Sequence, residues 1–158
     1  MKLLLLDEEE RLLLLHAQDP QTHAKCWYPV GGGIELGETL QEAAAREAFE
    51  ETGLVRLPPG RPVWQRDHTY EFSGRVIDVH EKWLMHAVER FDPEPASLSE
   101  YEADSILGFR WWHAAELVET TETVFPPRLG RLLQDLLANG APDSPLDIGS
   151  RSRQQPAD

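Results

Sequence analysis

GGGIELGETLQEAAAREAFEETGL, residues 31–54, holds six glutamates in twenty-four residues and crowds Glu47, Glu50 and Glu51 near its end. Thr39 followed three residues later by Glu42 is a capping box, the alanines favour helix, and Gly53 stands where a helix stop belongs. The stretch therefore predicts a helix over Leu40–Thr52. On that helix Glu47 is three residues before Glu50 and four before Glu51, so the three carboxylates converge near one face. Each like-charge pair costs only roughly 0.2–0.5 kcal/mol on an exposed helix, so repulsion alone does not exclude a solvated acidic face. The surroundings favour a different reading. Arg46 lies four residues from both Glu42 and Glu50, where one guanidinium can bridge acids along the helix and orient a carboxylate. Gly31, Gly32, Gly33 and Gly37 permit a tight loop that brings backbone carbonyls and amides to a ligand at the helix entrance. Hard cations such as Mg²⁺ take oxygen ligands and bridge protein carboxylates to substrate phosphates, which suits a carboxylate cluster beside a glycine loop.

Outward from the helix, residues 2–6 and 11–16 are leucine-rich runs separated by an acidic turn, and read as buried strands. Residues 27–30 lead into the glycines. Beyond the helix, Pro58, Pro59, Gly60 and Pro62 form a rigid loop. Residues 63–72 and 75–88 follow as strands around a Ser73-Gly74 turn. Residues 91–104, with their prolines and acids, read as a surface loop. A short strand at 108–112 and a helical turn at 114–117 come next, with one ring of the Trp111-Trp112 pair in the core and one outside. Leu129, Leu132, Leu133, Leu136 and Leu137 form one apolar stripe after Pro127, ended by Asn139-Gly140, so a last helix packs on the sheet. Residues 1–140 thus make a single domain. Residues 141–158, rich in Pro, Asp, Ser, Arg and Gln without periodicity, read as a disordered tail.

The chain of 158 residues is long enough for one core and too short for two comfortable ones. Its apolar runs are too short to span a bilayer, and Asp7 to Glu10 end the first before a secretion signal could form. These features, with the single Cys26, predict a cytoplasmic protein. The net charge of −13 argues against a nucleic-acid polymer or an anionic membrane as partner. A phosphate ligand would need a local positive charge to overcome that field, and a divalent cation is the obvious source.

The spacing of Gly32, Glu38, Arg46, Glu47, Glu50, Glu51, Gly53 and Leu54 resembles the signature of the Nudix hydrolases in every position. Chance would align the seven invariant positions with a probability on the order of 10⁻⁵. The one soft departure is Ala48, smaller than the usual branched residue. The resemblance implies an α/β fold, an α/β/α sandwich with a central mixed β-sheet. It implies hydrolysis of a pyrophosphate bond in a small nucleoside diphosphate-linked substrate, with Mg²⁺ as cofactor and Mn²⁺ as substitute. Carried over by position, Glu47, Glu50 and Glu51 are metal ligands, the Gly31 carbonyl a fourth, and Arg46 and Glu38 orient them. Arg46, Glu50 and Glu51 are then catalytic, while the general base comes from within the motif or from an acid elsewhere. Family members are often homodimers. The rival reading is a catalytically silent Nudix-fold module that senses a nucleotide, against which the intact glutamate set weighs.

Outside the motif, Glu81 shares strand parity with Ile77, Val79, Trp83 and Met85; unless a bulge or strand end turns it to solvent, it faces inward and must be paired, protonated or bound to metal, which makes it a candidate catalytic acid. Glu100, Glu102 and Asp104 are alternative bases on a late loop. Trp64, Arg66, His68, Tyr70 and Phe72 share one face of the preceding strand. There Arg66, His68 and Tyr70 are candidates to bind substrate, by pairing with phosphate and stacking on a base. Tyr70 resembles the downstream tyrosine of dinucleoside polyphosphate hydrolases.

Overall fold

In the computed structural model, which describes residues 1–72 and 75–149, the leucine runs become β1 (Lys2–Leu6) and β2 (Leu12–Gln18) at the heart of the sheet. Their near-continuous leucine follows from burial on both faces. Leu4, Leu6, Leu12 and Leu14 enter one core cluster, while Leu3, Leu5, Leu13 and Leu15 enter another on the opposite side. Between the two strands Asp7 closes the turn, its Oδ1 accepting from the Glu9 and Arg11 amides at 3.0 and 2.9 Å.

The remaining elements are β3 (Lys25–Pro29), α1 (Leu40–Thr52), β4 (Arg61–Phe72), β5 (Arg75–Ala87), α2 (Glu100–Ser105), β6 (Ile106–Trp112), α3 (Ala114–Glu119), α4 (Leu129–Asn139) and β7 (Leu146–Asp147). The sheet runs β3-β2-β1-β5-β4-β7, with β6 also paired to β2. Strands β1 and β5 are parallel, as are β4 and β7, and the other pairs are antiparallel. This is the mixed sheet expected. Helix α1 covers one face, where Ala43, Ala44 and Ala48 meet Leu3, Leu5 and Leu13. Small side chains let the helix sit close to the strands, which accounts for Ala48. On the other face α3 and α4 lay Leu117, Leu129, Leu133 and Leu136 against Leu4, Leu14, Trp64 and Trp83. The result is an α/β/α sandwich.

Helix α1 has the predicted caps: Thr39 Oγ1 accepts from the Glu42 amide at 3.2 Å, and Gly53 is left-handed with φ 74°. Three expectations change. Within the expected loop, α2 is a helix whose Ser99 donates its amide to Glu102 Oε2 at 2.8 Å, a capping box that Ser99-Glu100-Tyr101-Glu102 spells out. Both tryptophans of β6 are packed. Trp112 is in the α4-side core, and Trp111 lies on the α1 side with Nε1 donating to the Phe91 carbonyl at 3.2 Å. The segment 141–149 is ordered against the domain: Leu146 and Asp147 pair with Trp64 and Gln65, and the Ile148 amide donates to the Gln65 carbonyl at 2.9 Å. A two-residue strand has no periodicity to read; it is held by the open edge of β4. The Ser73-Gly74 turn and residues 150–158 lie outside the described residues. Among the described residues no helix is long and apolar enough to cross a membrane.

Candidate active site

The glycines at the entrance of α1 are needed for close contact. Gly31 has φ 144°, and a Cβ there would lie 2.3 Å from the Met1 carbonyl oxygen. A Cβ on Gly32 would lie 2.2 Å from Glu47 Oε1, so only glycine lets that carboxylate rest over the backbone. Gly31 enters the site through its amide, which donates to Glu51 Oε2 at 2.8 Å. The next two carbonyls are engaged, Gly32 by the Met1 amine at 2.5 Å and Gly33 by Arg46 Nη2 at 3.0 Å.

Arg46 is the hub. It forks onto Glu38, with Nε to Oε1 at 2.7 Å and Nη2 to Oε2 at 3.0 Å, and its Nη1 spans Glu47 Oε1 at 2.9 Å and Glu50 Oε2 at 3.1 Å. The side-chain hydrogen bond from Arg46 holds the Glu38 carboxyl down at about 2. The expected bridge to Glu42 does not form. That carboxylate is committed to the capping box, accepting from the Thr39 amide and hydroxyl at 2.8 Å each. Arg46 thus positions two of the three clustered glutamates and ties them to the glycine loop through Glu38.

Glu47 and Glu51 are buried, at 8% and 4% exposure. Burial raises the Glu47 carboxyl, against the hydrogen bond and charge of Arg46, with the charges of Glu50 and Glu102 adding to the rise. Burial likewise lifts Glu51 to about 7, opposed by the Gly31 amide and by Lys2 and reinforced by Glu47 and Glu102. A nest of hard oxygen donors, strained towards protonation by burial, is the donor set a divalent cation stabilises. The residues fit such an ion. Among the described residues, no three Asp, Glu, His or Cys side chains are already gathered tightly enough to hold one. Arg46 and the Gly31 amide engage the carboxylate oxygens instead. Lys2, which no spacing in the sequence singles out, joins the site because β1 places it within electrostatic reach of Glu51.

The chain after β5 turns back over the end of α1. Glu94 donates its amide to the Thr52 carbonyl at 3.0 Å, and Ala96 and Ser97 donate theirs to the Glu50 carbonyl at 3.0 and 3.1 Å. These bonds satisfy carbonyls that the helix cannot pair internally. They also bring α2 alongside, so that Glu102 acts electrostatically on both Glu47 and Glu51.

Glu81 on β5 points inward, as parity predicts. Its side chain is 13% exposed, and its buried Oε2 accepts no hydrogen bond among the described residues. Arg66, its cross-strand partner, brings Nε to 3.9 Å, and His68 brings Nδ1 to 4.0 Å. Glu81 and Glu47 both act on the Met1 amine, so the two acids flank the start of β1. Arg66 and His68 share a cleft of about 410 Å³ beside α4. Trp64, on the same face, is core rather than cleft, and the side chain of Tyr70 lies outside the described residues.

Comparison with known proteins agrees with this fold. The model of the NUDIX domain matches residues 2–136. An RNA pyrophosphohydrolase of Caulobacter vibrioides (strain NA1000 / CB15N) is 31% identical over 127 residues, covering 73% of this chain and 68% of that protein. A NUDIX hydrolase from Nitrosomonas europaea shares the fold with a TM-score of 0.60 at 20% identity, over 98% of this chain and 96% of that one. A C. elegans Ap4A hydrolase does so with a TM-score of 0.56 at 22% identity, over 87% and 95%. With box, sandwich and relative in agreement, the chain belongs to the Nudix family and is a pyrophosphohydrolase enzyme of that family.

Proposed function

We propose that this enzyme is Mg²⁺-dependent, with Mn²⁺ as substitute, and cleaves the pyrophosphate bond of a small nucleoside diphosphate-linked substrate: a nucleotide, a dinucleoside polyphosphate or a nucleotide sugar. The observation that carries this reading is the pair of buried carboxylates, Glu47 and Glu51, raised towards protonation beside Glu50. Glu47, Glu50 and Glu51 would hold the ion, with the Gly31 carbonyl as a further donor. Bound there, it supplies positive charge to the substrate phosphates in a chain whose own net charge is −13.

The chain's residues then divide the work. Arg46 keeps Glu47 and Glu50 aligned through its two Nη1 contacts. Glu81, with an inward oxygen that accepts no hydrogen bond, takes the proton of the attacking water as its oxygen bonds to phosphorus and the bridging P–O bond breaks. Glu102, next to the cluster by its charge, is the alternative base. Arg66 and His68 face the phosphates.

Replacement of Glu51 by Gln tests the assignment: turnover with Mg²⁺ should nearly vanish while the fold persists, and metal-dependent hydrolysis at the wild-type rate would sink it. A second reading, in which the bond cleaved is the terminal pyrophosphate of an RNA, is favoured by the 31% identical RNA pyrophosphohydrolase. A screen of nucleoside triphosphates, dinucleoside polyphosphates, nucleotide sugars and 5′-triphosphorylated RNA, with products identified by mass, separates the two. The acidic surface favours the small substrates.

A further inference from the structure

The NUDIX match stops at residue 136, yet the chain continues and returns to the sheet. After α4, residues 141–149 form a strap: Ala141 and Ile148 pack on the α4-side core, and β7 runs parallel to β4 along its edge. Gly149 closes it, donating its amide to Asp147 Oδ1 at 2.8 Å and lying so close that a Cβ there would be 3.1 Å from Arg66 Cγ. The strap therefore builds one wall of the cleft of about 410 Å³ that opens beside Arg66.

That cleft has two kinds of lining. Pro127, Leu132 and Ile148 are apolar, whereas Arg66 and Arg128 are cationic. Arg128 makes no ion pair among the described residues, in a chain with 28 acidic residues against 15 Lys and Arg. The cleft's one carboxylate, Asp67, is paired with His80 on the neighbouring strand. Arg66 reaches both ways, its guanidinium towards Glu81 at 3.9 Å and its stem beneath Gly149. The volume falls within the roughly 300–1,000 Å³ typical of small-ligand sites, and apolar walls with a few convergent charges are their usual chemistry.

We propose that the strap completes a subsite for the nucleoside monophosphate half of the substrate. The phosphate lies between Arg66 and Arg128, and the sugar and base lie against Pro127, Leu132 and Ile148. This rests on the hydrolase reading above and adds to it a specificity element lying beyond the matched domain.

The test is calorimetric titration of the metal-free 158-residue chain with AMP and, separately, adenosine. Arg128→Gln, at an exposed position, should weaken AMP at least tenfold and leave adenosine unchanged. Ile148→Glu should weaken both tenfold. In turnover both variants should raise KM and leave kcat unchanged. Wild-type AMP affinity in Arg128→Gln overturns the proposal even if Ile148→Glu fails to fold, as does an absence of AMP binding to the wild-type chain at millimolar concentration. Glu51→Gln should bind AMP like wild type. If that variant still hydrolyses substrate, the chemistry falls while the AMP titration still judges the subsite.

Discussion

The two candidate sites of this molecule are built in opposite ways. The glutamate site is almost wholly local, with Gly31 to Gly33, Glu38, Arg46, Glu47, Glu50 and Glu51 supplied by one loop and one helix. The cleft beside Arg66 is assembled from β4, the start of α4 and a strap beyond it, with Glu81 added across a strand pair. A local site holds its geometry through short-range spacing. An assembled one depends on every long-range pairing that brings its walls together, and can change specificity without disturbing the chemistry.

The largest effect should fall on the local site. Glu51→Gln should lower kcat/KM by roughly a thousandfold in Mg²⁺, the scale of losing a central electrostatic stabiliser, measured by product release under saturating metal. A loss below tenfold would break the contrast. Glu81→Gln should cost about a hundredfold in rate; a wild-type rate at every pH removes it as the base. Arg46→Lys keeps the charge but cannot fork onto Glu38 while spanning Glu47 and Glu50. It should cost about 10- to 100-fold in rate or in apparent Mg²⁺ affinity, read from activity against metal concentration.

A smaller and more diagnostic effect concerns stability without metal. The unfolded chain releases the Glu51 proton near its ordinary 4.5, whereas the folded chain keeps it to about 7. A raised carboxyl favours the folded state below the unfolded value, and that contribution is lost as pH rises through the folded one. In urea unfolding in EDTA, Glu51 should therefore weaken the protein from about pH 4.5 to about pH 7, by at most roughly 3 kcal/mol, against an opposite contribution from His86, whose pKa burial lowers. Glu51→Gln should reduce the slope, leaving the contribution of Glu47, whose carboxyl burial also raises. Equal slopes in the two proteins would show that Glu51 is not held protonated by burial.

Legibility in the sequence follows the same division. Helix α1 has the bounds its caps predict, because Thr39, Glu42 and Gly53 act within one turn of the residues they stop. The leucine runs announced doubly covered strands, because alternating leucines enter the two cores in turn. Helix α2 was legible too, in the Ser99–Glu102 box, but the prolines and acids around it suggested a loop. Nothing comparable marks β7, whose two residues are held in place by β4.

By itself the sequence determined the helix, its caps, the placement of Glu47, Glu50 and Glu51 within two turns of it, and through their spacing the family, because these depend on positions three or four residues apart. Only the tertiary structure decided that Gly32 lies under Glu47, that Lys2 reaches Glu51, that Arg66 stands across from Glu81, and that the strap walls a cleft. Those depend on strand register and burial between distant segments, which no local pattern of residues encodes.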